Sequence, residues 1–106
     1  MELNKEKAIK ELGIPEELYG ELLAIFIEQA EEALSKLKEV INAGNFAEIV
    51  RTAHLIKGSA GHMRLEEISA VAKGIEDNAS TGKDINFIKD SGRKLEELFS
   101  EFKKLV

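Results

Sequence analysis

The chain contains no cysteine, which excludes disulfides, thiol catalysis and thiolate-bound metal. It has one proline, Pro15, and no low-complexity stretch. Nothing marks an internal boundary, so residues 1–106 read as one domain. No run approaches the ~18 apolar residues that a membrane span needs. The opening MELNKEKAIK is charged throughout and lacks the apolar centre of a signal peptide; a cytoplasmic protein with no membrane contact is the expectation. Cations are not in excess either. The net charge is -5, an ordinary solubility charge, whereas a nucleic-acid partner would want a basic surface. What is present, 43% hydrophobic and 33% charged residues, suits a folded domain with a single core.

Helix formers dominate, and no long segment alternates with period two, so the fold class is all-α. A short first helix is expected over about Leu3 to Leu12, ended by Gly13. Pro15 suits a first helical position, with Glu16 and Glu17 where the helix dipole favours negative charge. From there Leu18, Leu22, Ile25, Phe26, Ala33, Leu37 and Val40 recur at helical spacing to about Ala43. Asn45 followed by Glu48 resembles a capping box opening a third helix with the stripe Phe46, Ile49, Val50, Ala53, Ile56 and Ala60. A turn near His62 to Arg64 leads to a fourth helix carrying Leu65, Ile68, Ala72, Ile75 and Ala79. Asn78 to Lys83 is turn-rich. Asp84 then caps a last helix with Ile85, Ile88, Leu95, Phe99, Phe102 and Val106. Short connections make antiparallel neighbours, giving an antiparallel four-helix bundle with a short extra N-terminal helix.

The stretch AHLIKGSAGHM, residues 53 to 63, spends helix propensity on two glycines, each roughly 1 kcal/mol worse than alanine. His54 lies roughly 120° from the centre of the third helix's apolar stripe, at the margin of the core. Lys57, Gly58 and Gly61 share its face at three, four and seven residues onward. An exposed imidazole beside a turn with almost no side chains lets another macromolecule approach closely, and Lys57 adds a cation for any anion placed on the ring. A lone helical histidine is more often a plain surface residue; the joint spacing of His, Lys and the two glycines shifts the balance.

The segment AHLIKGSAG resembles the signature of histidine-containing phosphotransfer (HPt) domains, written A-H-x-L-K-G-S-A. The resemblance spans about Ile14 to Val106, with the specific motif inside residues 53–76. It implies a four-helix bundle that accepts a phosphoryl group on His54. The implied partners are an aspartate of a response-regulator receiver domain and a sensor histidine kinase site. It also implies that Lys57 steadies the phosphoryl oxygens and that Gly58, with Gly61, allows the receiver to dock. Glu76 matches the polar residue that holds the imidazole from the next helix. Geometry agrees: with a turn near residues 63 and 64, positions 54 and 76 are mismatched by roughly 5 Å of rise, within a glutamate's reach. The family usually has glycine where this chain has Arg64; a left-handed arginine there would cost about 1 kcal/mol or more.

An imidazole titrates near neutrality, so a nucleophilic neutral fraction exists at pH 7. If Glu76 accepts a hydrogen bond from Nδ1–H, the Nε2 lone pair faces outward. Because a close carboxylate also favours imidazolium, an exposed and moderately distant Glu76 is expected. The chain has no glycine-rich nucleotide loop and no clustered acids, so ATP-dependent kinase activity is not expected. The expectation is no cofactor or metal of its own, with Mg²⁺ supplied by the receiver. A monomer is the default. Docking is expected on the second and third helices, where Leu23, Ile27, Leu34 and Ile41 form one apolar edge and Leu18 and Ile25 the other; either edge could equally be buried. The alternative is a phosphorylation-independent helical adaptor with His54 incidental. A metal-binding bundle is disfavoured, since His62 lies about 12 Å along the axis from His54. His62 is itself a rival acceptor, without the lysine and glycine escort.

Overall fold

The computed structural model describes residues 4–106; the start of the expected first helix, Leu3, lies outside them. Five helices follow one another: α1 (Lys5–Leu12), α2 (Glu16–Asn42), α3 (Phe46–His62), α4 (Glu66–Ser80) and α5 (Ile85–Leu105). The short connections turn α2 to α5 into an antiparallel bundle, and with α1 the molecule measures 42 × 20 × 19 Å. Helix α3 packs between α2 and α4, and α5 closes the ring against α4 and α2. Among the described residues no helix is long and apolar enough to cross a membrane.

Local chemistry explains the helix ends. Asn4, Asn45 and Asp84 each accept a backbone N–H from the residue three places on, satisfying a donor the helix cannot pair itself. Gly13 and Gly44 adopt left-handed conformations after α1 and α2, with φ of 66° at both, where a Cβ would be strained. Pro15 is the N-cap of α2 rather than its first helical residue. The turn-rich reading of Asn78 to Lys83 is corrected, because α4 continues to Ser80. The polar side chains of Asn78 and Ser80 bond back to carbonyls of the preceding turn, at Gly74 and Asp77. They therefore extend the helix instead of ending it.

The core runs the length of the bundle, with Phe26, Phe99 and Phe102 clustered between α2 and α5. The apolar edges of α2 separate: Leu23 and Ile41 are buried, Ile27 and Leu34 half-buried, and Leu18 and Ile25 exposed. Val106, placed on the last apolar stripe, is exposed. Helix α1 tucks Ala8 into the core and leaves Ile9 and Leu12 half-buried.

Candidate functional site

His54 sits in mid-α3 with its side chain 62% exposed. Its Nδ1 lies 2.6 Å from Oε2 of Glu76 on α4. The other carboxylate oxygen, Oε1, accepts a hydrogen bond from Lys57 Nζ at 2.8 Å. Glu76 is 16% exposed and Lys57 29%, so the carboxylate is a mostly covered hub between two partners on α3. An ionised carboxylate only accepts hydrogen bonds, so in the neutral ring the proton sits on Nδ1 and the lone pair is left on Nε2. The structure thus brings together the three residues singled out in the sequence.

The turn lies where the sequence puts it: α3 runs to His62, α4 begins at Glu66, and the residues between are centred on Arg64. Residue 54 lies ten before that centre and residue 76 twelve after, a mismatch of roughly 3 Å of rise that the glutamate side chain spans. Glu76 differs from expectation in being neither exposed nor distant. Its charge is shared with Lys57 on the other carboxylate oxygen.

The Lys57 hydrogen bond is the main reason that the Glu76 carboxyl titrates below its ordinary value of 4.5; partial burial opposes this, and the His54 contact adds to it. A carboxyl lowered in the folded state adds stability above its unfolded value, and that stability is lost as pH falls through the lowered folded one. In a carbonyl-carbon NMR titration Glu76 should therefore protonate at lower pH than exposed glutamates, and Lys57→Met should move it back up. An ordinary midpoint in the parent chain would mean that the Lys57–Glu76 pair does not persist in solution.

The glycines divide. A Cβ at Gly58 would meet nothing within 4 Å, so the surface beside His54 is bare. Gly61 faces the seam: a Cβ there would stand 3.3 Å from Ser69 Oγ on α4. Its missing side chain serves the close approach of α3 and α4.

Arg64 does adopt the left-handed conformation, with φ of 64°. Its guanidinium donates to the Gly61 carbonyl at 3.2 Å and to Glu11 Oε2 of α1 at 2.9 Å, which offsets part of the strain of a non-glycine residue there. Tyr19, buried on α2 and absent from the expected stripe, donates its hydroxyl to the Met63 carbonyl at 3.2 Å. These contacts brace the turn that sets the α3–α4 register.

His62 is exposed and lies on another part of α3. It borders a shallow groove of about 340 Å³ between α2 and α3, with Ile25, Gln29 and Gly58 among its walls. Leu55, 61% exposed, and Ile25, 51% exposed, leave an apolar patch on this side. Among the described residues no group of three or more histidine, aspartate or glutamate side chains is placed to hold a metal ion.

The Hpt domain family model matches residues 21–104, which takes in α3, α4 and nearly all of α2 and α5. No curated protein and no solved structure matches the chain.

Proposed function

The chain belongs to the Hpt domain family, and on that premise we propose that His54 is the phosphoacceptor of a two-component phosphorelay, exchanging a phosphoryl group with an aspartate of a response-regulator receiver domain. The observation that carries this reading is an exposed imidazole whose Nδ1 is held by a carboxylate, leaving Nε2 open to a partner. In the forward step the Nε2 lone pair attacks phosphorus in line, and the bond from phosphorus to the aspartyl oxygen breaks, with its electron pair going to the carboxylate. Nδ1 keeps its proton, so the phosphorylated ring becomes cationic. The Glu76 carboxylate stabilises that charge across 2.6 Å.

Phosphoryl transfer depends on positioning and charge neutralisation more than on covalent help from the protein. Lys57 supplies the cation. Its ammonium leaves Glu76 Oε1 for the phosphoryl oxygens, and Glu76 then faces the charged ring alone. Mg²⁺ comes with the receiver. The receiver docks on α2 and α3 over Ile25 and Leu55, where Gly58 leaves the surface bare. A sensor histidine kinase is the other source of phosphate. The domain relays phosphate as a monomer and does not use ATP itself.

Incubation of the chain with an aspartyl-phosphorylated receiver tests this. Label should move to the chain, be lost in acid, survive base as an N–P bond does, and map to the peptide containing His54. No transfer, or an acid-stable label, overturns the proposal. In the same assay Lys57→Ala should slow transfer with the fold kept; an unchanged rate removes its role.

A further inference from the structure

Ser69 is not among the residues of the signature, yet it ties α4 to the site. Its hydroxyl donates to the Lys57 carbonyl across the α3–α4 seam at 2.9 Å. In the helical ladder that carbonyl pairs with the N–H of residue 61, and its second lone pair accepts the hydroxyl. The approach is open because residue 61 is glycine. A Cβ 3.3 Å from Ser69 Oγ would force the hydroxyl to yield by a few tenths of an ångström. Lys57 is thereby fastened to α4 twice, by its backbone at Ser69 and by its ammonium at Glu76. Residues 69 and 76 lie about two turns apart on one face of α4, and Glu76 is the residue that holds the imidazole.

We propose that Ser69, admitted by Gly61, is a positioning residue: its bond to the Lys57 carbonyl sets the spacing of α3 and α4 at which Glu76 holds His54 in the Nδ1–H tautomer. Its importance for transfer rests on His54 being the phosphoacceptor. The buried positions Ile68, Ala72 and Ile75 fix the rotation of α4. The hydroxyl fixes its final approach to α3, to which hydrogen bonds of 2.6 and 2.8 Å are sensitive.

The test uses the full chain and reads the His54 ring by ¹⁵N NMR, beside thermal melting and phosphoryl uptake from an aspartyl-phosphorylated receiver. Ser69→Ala removes the hydroxyl and leaves the Lys57 carbonyl its helical partner. It should raise the Nε2–H tautomer fraction and slow uptake roughly 3- to 10-fold, a partial form of the ~10²-fold loss that a 1 Å misplacement brings. Gly61→Ala should produce the same ring shift while holding or raising the melting temperature, because alanine is the better helix former. A merely structural role does not separate the two readouts in this way. The double variant, free of crowding but still without the hydroxyl, should resemble Ser69→Ala. Unchanged ring shifts in Ser69→Ala and Gly61→Ala overturn the positioning role. A parent chain whose tautomer depends on Ser69 but which takes up no phosphate would keep the positioning and overturn the phosphoacceptor reading instead.

Discussion

Glutamine at position 54 abolishes phosphoryl uptake: His54→Gln should lose at least ~10³-fold in transfer from a phosphorylated receiver, the scale on which removal of a covalent nucleophile acts. The amide of glutamine has no lone pair on nitrogen free to attack phosphorus, whereas its volume and polarity resemble those of the imidazole. The fold should be untouched, because the side chain is largely in solvent and such substitutions usually change stability by no more than about 0.5 kcal/mol. Glu76 keeps its bond to Lys57 in the variant. The matching substitution His62→Gln should leave uptake within about twofold. His62 lies about 12 Å further along α3, and among the described residues no carboxylate holds its ring. Label that persists in His54→Gln and vanishes in His62→Gln would move the phosphoacceptor to the end of the helix and detach the carboxylate–lysine pair from the chemistry.

The contrast between the two histidines shows what can be read from a sequence. Spacing alone puts His54, Lys57 and Gly58 on one face of a helix, since 100° per residue is a property of the backbone. The bundle is legible for the same reason: apolar stripes, caps such as Asn45 and Asp84, and short connections leave few alternatives. Relations between elements are harder. Whether Glu76 reaches His54 depends on how the turn at Arg64 is held. A glycine there would have marked the left-handed residue, whereas the arginine holds the conformation through the Gly61 carbonyl and Glu11, partners that no local pattern reveals. Tyr19 shares the face of Phe26, seven residues on, but its hydroxyl finds Met63, far along the chain, and no local pattern reveals that partner.

Gly61 shows a different limit. A glycine on the face of His54 is compatible with an open surface and with a tight seam, and only the position of Ser69 decides between them. The charge balance at Glu76 has the same origin. The sequence places Glu76 within reach of His54, but that Lys57, one turn from His54, occupies its other oxygen is a tertiary contact. The three side chains are a composite whose parts are visible in the sequence and whose wiring depends on tertiary contacts.

Truncation of Phe102 should cause the largest loss of stability among the substitutions considered. Its side chain is 0% exposed, with ring centroids 5.9 Å from Phe26 and 6.0 Å from Phe99. Phe102→Ala removes a buried ring and leaves a cavity that helices fixed by other contacts do not fill. Changes of this kind cost about 3–5 kcal/mol, a large share of the ~5–15 kcal/mol that holds a domain folded. In a chain of this size the melting temperature should drop by about 15 °C or more. The ring belongs to the α2–α5 side of the bundle, whereas His54, Lys57, Glu76 and Ser69 lie on the α3–α4 seam. At low temperature, where the variant is still folded, the His54 ring signals and the uptake per folded molecule should therefore match the parent, and both should fail together on warming. A fall of only a few degrees would mean that the aromatic cluster is not a shared core. Altered ring signals in the cold, folded variant would mean that the core behind α5 and the His54 ring are coupled, because the tautomer would then depend on packing at a distance from every atom that touches the imidazole.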